Sequence, residues 1–129
     1  MIRIRGARIR RALALAVAAG LAWCVPSGVD AHAIIESATP AVGTVVAGPD
    51  VDVSLRYNSR LDHQRSRLSL TGPDGAVKPL PVALPAVNPA ILSARAAGLA
   101  PGAYVLHWQV LAVDGHMTRG NIPFTVEGR

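Results

Sequence analysis

Three residues far apart in this chain carry donor atoms suited to one transition-metal ion: His32, Asp114 and His116. His32 ends the run Val29-Asp30-Ala31-His32, and cleavage after Ala31 would make it residue one of the processed protein. An N-terminal histidine offers a free amine and an imidazole nitrogen from a single residue, close enough to chelate one ion. Far downstream, Asp114-Gly115-His116 supplies a carboxylate and a second imidazole. Two imidazoles, an amine and a carboxylate are tetragonal nitrogen and oxygen donors. Copper(II) prefers such a set and binds it more tightly than other divalent first-row metals do. The expectation is one copper(II) ion per chain, with Asp114 bound directly or through water. An unperturbed α-amine titrates near ~7.7–8.0 and a histidine near ~6.5. Both must lose a proton to bind, so affinity should fall in mild acid.

This ligand set depends on the leader. Residues 1–11 hold Arg3, Arg5, Arg8, Arg10 and Arg11 and no acid, and 12–25 are apolar apart from Gly20. Pro26, Ser27 and Gly28 then break the run ahead of Val29-x-Ala31. A basic start, a short apolar stretch and a small residue at the cut describe a secretory signal peptide. A membrane anchor would want ~20 apolar residues, more than are present. Arg10-Arg11 lacks the surroundings of a twin-arginine signal. Cys24 follows Trp23, where lipid attachment would need a small residue. The expected organisation is a signal peptide over 1–31 and one domain over 32–129, exported to the periplasm.

Removing the leader changes the charge balance. Of 13 basic residues five lie in the leader, and Asp30 is one of eight acids, leaving eight against seven. The basic excess therefore signals export, and no basic patch argues for nucleic acid. Cys24 is the only cysteine, so the processed chain has neither thiol nor disulfide. Beyond Met1, Met117 is the only methionine, so soft sulfur donors for copper(I) are nearly absent.

The elements that must position the donors read as short strands. No segment of 32–129 has helical periodicity, and glycine and proline recur every few residues. That composition favours strands joined by turns. About seven strands are expected: 33–38, 51–57, 67–71, 76–80, 91–94, 104–111 and 122–126. In the second-longest, Val51, Val53, Leu55 and Tyr57 alternate with Asp52, Ser54 and Arg56. In 104–111, Tyr104, Leu106, Trp108 and Val110 share one face. The pattern predicts an all-β sandwich of two sheets with Greek-key connections and Trp108 anchored between them. Asp114-Gly115-His116 falls in the turn between the last two strands, where residues two apart can converge on one point.

Other candidates have plainer readings. His63, in Arg60-Leu61-Asp62-His63-Gln64-Arg65, reads as a surface loop residue with a possible second-site role. His107 reads as a solvated or half-buried strand residue. Met117 reads as packing or a loop side chain, with a copper role as the alternative. Arg56, Arg60, Arg65 and Arg67 read as solvated faces. No serine has a His/Asp partner pattern, so no hydrolytic constellation is expected.

The motifs together carry a resemblance. Ala31-His32-Ala33 with Ser37-x-Thr39-Pro40 and Gly43, Val53-Ser54-Leu55-Arg56-Tyr57, and Leu99-x-Pro101-Gly102-x-Tyr104 form one part of it. Trp108-Gln109-Val110-x-Ala112-Val113-Asp114-Gly115-His116 with Gly120 and Phe124-x-Val126 form the other. Over nearly all of 32–129 the chain resembles the CopC family of periplasmic copper-binding proteins. The resemblance implies an immunoglobulin-like sandwich that binds copper(II) through His32, Asp114 and His116, without enzymatic activity. It implies a carrier role in copper homeostasis or resistance, beside an inner-membrane protein of the CopD type. A monomer is expected. Two features depart from the family. No methionine-rich loop is present, which implies copper(II) alone. Where some members place a glutamate near the copper, this chain reads Asn58-Ser59-Arg60, and Asn58 stands in as a hydrogen-bonding group.

Two other functions fit parts of the pattern. An N-terminal histidine with a second imidazole resembles the copper brace of polysaccharide monooxygenases, but Tyr57, Tyr104, Trp108 and Phe124 all fall on presumed core faces. A periplasmic interaction module with incidental histidines is the other.

Overall fold

Alternation writes the centre of the fold. Along Val51–Tyr57 the odd positions are buried, while Asp52 and Arg56 face water. A strand with one apolar face must cover it with another sheet. Here the cover comes from Leu68 and Leu70 of Arg67–Thr71 and from Tyr104, Leu106 and Val110 of Gly102–Leu111. The computed structural model describes residues 33–128. The expected signal peptide and His32 lie outside the described residues.

The described residues form eight strands: β1 (Ile35–Thr39), β2 (Val45–Ala47), β3 (Val51–Tyr57), β4 (Arg67–Thr71), β5 (Val77–Leu80), β6 (Ile91–Ala96), β7 (Gly102–Leu111) and β8 (Met117–Glu127). They form a three-stranded sheet in the order β1-β3-β6 and a five-stranded sheet in the order β2-β8-β7-β4-β5. Only the β4–β5 and β7–β8 hairpins stay within one sheet, and the other connections cross between sheets. The result is an all-β, immunoglobulin-like Greek-key sandwich. Among the described residues, no helix is long and apolar enough to cross a membrane.

The structure has one strand more than expected. β2 is three residues long and pairs parallel with β8 through Val45↔Thr125 and Val46↔Val126. Its run Val45-Val46-Ala47 does not alternate, so the sequence marks no strand there. β8 is also longer than expected and begins at Met117, because its inner positions Thr118 and Gly120 are not large apolar residues. The cause lies on β7. The Trp108 indole covers Gly120 so closely that a Cβ there would come within 2.4 Å of it. The apolar bulk that belongs at 120 is supplied by the neighbouring strand.

Trp108 is half-buried rather than enclosed, yet it does link the sheets. Its ring meets Tyr57 of β3 edge-on, with centroids 5.5 Å apart and planes at 69°. Leu55, Leu92, Leu106 and Val110 are among the fully enclosed aliphatic residues between the sheets. The Tyr57 hydroxyl is buried and has no hydrogen-bond partner among the described residues. Burial pushes that phenol well above its ordinary titration range.

A candidate metal centre at the β7–β8 hairpin

The hairpin that follows β7 is built by its own short-range chemistry. The Ala112 N–H donates to the His116 carbonyl at 2.9 Å, and the Gly115 N–H donates to the Ala112 carbonyl at 2.9 Å. This closes a three-residue loop, Val113-Asp114-Gly115, whose last residue must be left-handed. Gly115 takes that role with φ at +94°. Within the loop, Asp114 Oδ1 accepts from the His116 N–H at 3.0 Å, the side-chain turn that aspartate favours.

The same geometry brings the two side chains together. His116 Nδ1 lies 3.2 Å from Asp114 Oδ2, with the histidine side chain 53% exposed and the aspartate 31%. Two chemistries suit this spacing. As a hydrogen bond, the carboxylate holds the ring and leaves the Nε2 lone pair for a ligand role. As neighbouring donors to one ion with bonds of ~2.0–2.1 Å, the two atoms would stand about 3 Å apart. Asp114 and His116 thus come together at the surface. His32, the third expected ligand, lies outside the described residues. Among the described residues no group of three or more metal-ligating side chains forms.

The chain that leads away from residue 32 is held beside this hairpin. Ala33 is buried, and its carbonyl accepts from the Thr118 hydroxyl at 3.2 Å, two residues beyond His116. Asn58 grips the next residue from the other sheet. Its Oδ1 accepts from the Ile34 N–H at 2.8 Å, and its own N–H donates to the Ile34 carbonyl at 3.0 Å. Asn58 is therefore a backbone clamp.

A third segment supports the hairpin from below. Leu61 bridges Ala112, the Asp62 N–H donates to the Leu111 carbonyl at 2.8 Å, and the Val113 N–H donates to the Arg60 carbonyl at 3.1 Å. Ser66, buried, ties the two together. Its hydroxyl donates to the Asp62 carbonyl at 2.7 Å and accepts from the Leu111 N–H at 3.1 Å. Sequence reasoning missed Ser66 and Thr118, because a single hydroxyl with partners 45 and 85 residues away leaves no local pattern.

The remaining candidates fall elsewhere. His63 is half-buried, not a loose surface residue. Its Nδ1 faces the Leu61 carbonyl at 3.1 Å and its Nε2 the Ile91 carbonyl at 2.6 Å. With both ring nitrogens turned to backbone, it braces the 61–65 loop against β6. His107 is half-buried between Thr71 Oγ1 and Asn121 Oδ1, each 2.7 Å from a ring nitrogen. Met117 is exposed, and its sulfur accepts from Gln109 Nε2 at 2.9 Å. Arg56, Arg60, Arg65 and Arg67 are all exposed.

The other end of β7 explains a second motif. The Tyr104 hydroxyl donates to the Ala100 carbonyl, four residues upstream, at 2.6 Å. A tyrosine bonded back to the preceding turn is a corner characteristic of immunoglobulin-like sandwiches. Tyr104 also stacks on Phe124, with centroids 5.8 Å apart.

Comparison with known proteins agrees with this geometry. CopC from Methylosinus trichosporium OB3b is 31% identical, superposes with a TM-score of 0.67, and is matched over 94% of its length and 74% of this chain. PcoC, a methionine-rich copper resistance protein from Escherichia coli, is 26% identical with a TM-score of 0.61, over all of that chain and 75% of this one. Protein YobA of Escherichia coli (strain K12) is 29% identical over 119 residues, 96% of its length and 91% of this chain. The CopC domain itself matches residues 35–127, from the first strand to the last. The chain belongs to the CopC family.

Proposed function

We propose that this chain is a periplasmic copper-resistance protein that carries one copper(II) ion per molecule. In this reading residues 1–31 are a signal peptide and 32–129 the working domain. His32 gives its amine and one ring nitrogen, and Asp114 and His116 complete the set. The carrying observation is the Asp114–His116 pair, 3.2 Å apart, at a hairpin whose next strand also holds Ala33 through Thr118. One peptide link joins residue 32 to that anchored alanine, and a trans link spans ~3.8 Å between Cα atoms. The described relatives add weight: PcoC is a copper resistance protein by name, and it is methionine-rich. This chain has two methionines in all, which favours nitrogen and oxygen donors and the divalent ion. The role is that of a monomeric carrier, handing copper to or from an inner-membrane protein of the CopD type, and not of a catalyst.

The test begins with the exported protein. Its intact mass, with and without copper, reports the cut site and the stoichiometry together. Mass starting at His32 with one copper ion is the expected result. Adding one glycine ahead of His32 moves the amine off the imidazole, and affinity should fall more than ~100-fold, beyond the loss typical of a supporting partner. A protein that begins elsewhere and still binds, or a glycine extension with full affinity, would overturn the reading. A correctly cut protein that takes up no copper would leave a periplasmic interaction module in its place.

A further inference from the structure

The outer face of the five-stranded sheet carries an organised set of donors, distinct from the hairpin. Cross-strand register places Arg67, Gln109 and Arg119 in one row, and Ser69, His107 and Asn121 in the next. All six line a cavity of about 880 Å³, walled on one side by Pro79, Pro81 and Leu84. No aspartate or glutamate lines it. Arg67 and Arg119 stand two strands apart, about 10 Å between backbones.

The arginines here differ from those elsewhere. Arg95 is paired with Asp50 and Asp52, and Arg65 with Asp62. Among the described residues neither Arg67 nor Arg119 has a carboxylate partner. The floor beside them is fixed. His107 Nε2 lies 2.7 Å from Thr71 Oγ1, and the other ring nitrogen, facing an oxygen that can only accept, donates to Asn121 Oδ1 at 2.7 Å. That arrangement leaves the Asn121 amide nitrogen, a donor, for another acceptor. Gln109 is already engaged with Met117. A guanidinium fork matches a carboxylate or phosphate in a bidentate way. Two forks across an acid-free cavity with a proline and leucine wall suit a ligand with acid groups at both ends and an apolar body.

We propose that this cavity binds a small organic anion bearing two acid groups, carboxylate or phosphate. Arg67 and Arg119 take one group each, and the carbon chain lies against Pro79, Pro81 and Leu84. The attraction is between partly exposed charges, so binding weakens as salt rises.

The test is a ¹⁵N NMR titration of the metal-free protein, in the form in which the cell accumulates it. The probes are glutarate, with two carboxylates, and 3-phosphoglycerate, with one of each acid; the tighter of the two names the preferred group. Saturable shifts centred on Arg67, Ser69, His107, Arg119 and Asn121 are expected. The double variant R67Q/R119Q should bind at least about tenfold more weakly, since charged hydrogen bonds are lost, with its thermal midpoint unchanged. Shifts that do not saturate with either probe, or that persist in the double variant, overturn the proposal. So does a hexaglutamate peptide that binds tenfold more tightly than both probes, which would assign the face to an acidic protein partner.

Discussion

β7 has two very different ends. At its start, Pro101-Gly102-Ala103-Tyr104 turns a hydroxyl inward onto the chain's own carbonyl at 2.6 Å. At its finish, Val113-Asp114-Gly115-His116 turns a carboxylate and an imidazole outward, paired but exposed. Each end uses a glycine with positive φ, Gly102 at +145° and Gly115 at +94°. Their surroundings differ. A Cβ on Gly102 would lie 2.5 Å from Pro73, whereas among the described residues nothing lies within 4 Å of one on Gly115. A buried polar group with a fixed partner specifies the fold, and losing that partner is costly. An exposed carboxylate–imidazole contact contributes about 0–1 kcal/mol even when the ring is charged. One end of the strand therefore holds the sandwich together. The other can serve chemistry with little cost to stability.

This contrast can be broken by substitution at either end. The largest effect is expected at the outer hairpin. His116→Ala should weaken copper(II) binding more than ~100-fold while stability stays within about 0.5 kcal/mol, as for a surface change. Titration paired with thermal unfolding separates the two quantities, and a large loss of stability would erase the distinction. Next, Gly102→Ala combines a disfavoured backbone conformation with overpacking against Pro73, and should cost about 3 kcal/mol. Calorimetry should then show the midpoint fall by more than ~10 °C. Copper affinity measured below that midpoint should hold, because a ten-residue strand puts ~30 Å between its ends. Tyr104→Phe removes one buried hydrogen bond and should cost about 1–2 kcal/mol in urea unfolding, again without moving the copper affinity. The smallest effect is expected across from β7, at Tyr57 of β3, which meets Trp108. Its hydroxyl is buried and has no partner among the described residues, so Tyr57→Phe should leave stability unchanged or raise it by up to about 1 kcal/mol. Denaturation of that variant at lower urea than the parent would mean that the hydroxyl has a partner in solution.

The same contrast explains what was legible in the sequence. β3 and β4 have the expected bounds, because both alternate strictly and end in turns. The hairpin loop was legible too, since Asp114 and Gly115 encode its shape within three residues. Structure held together over long separations left no such mark. β2 exists because β8 offers it an edge, and three residues carry no period. The first turns of β8 were hidden because Trp108 supplies the bulk that Gly120 lacks. His63 read as a loop residue, since nothing near it in sequence announces the Ile91 carbonyl 28 residues away. Asn58 was expected as a hydrogen-bonding group and forms hydrogen bonds, but to backbone. Its clamp on Ile34 depends on the pairing of β1 with β3, which no local pattern fixes.

That clamp has a mechanical side. Ala33 is tied through Thr118 to the five-stranded sheet, and Ile34 through Asn58 to the three-stranded one. The front of the domain is a tether strung between two layers. Sliding one layer over the other must stretch it, so on the proposed function warming that loosens the sandwich should release copper before the strands themselves melt.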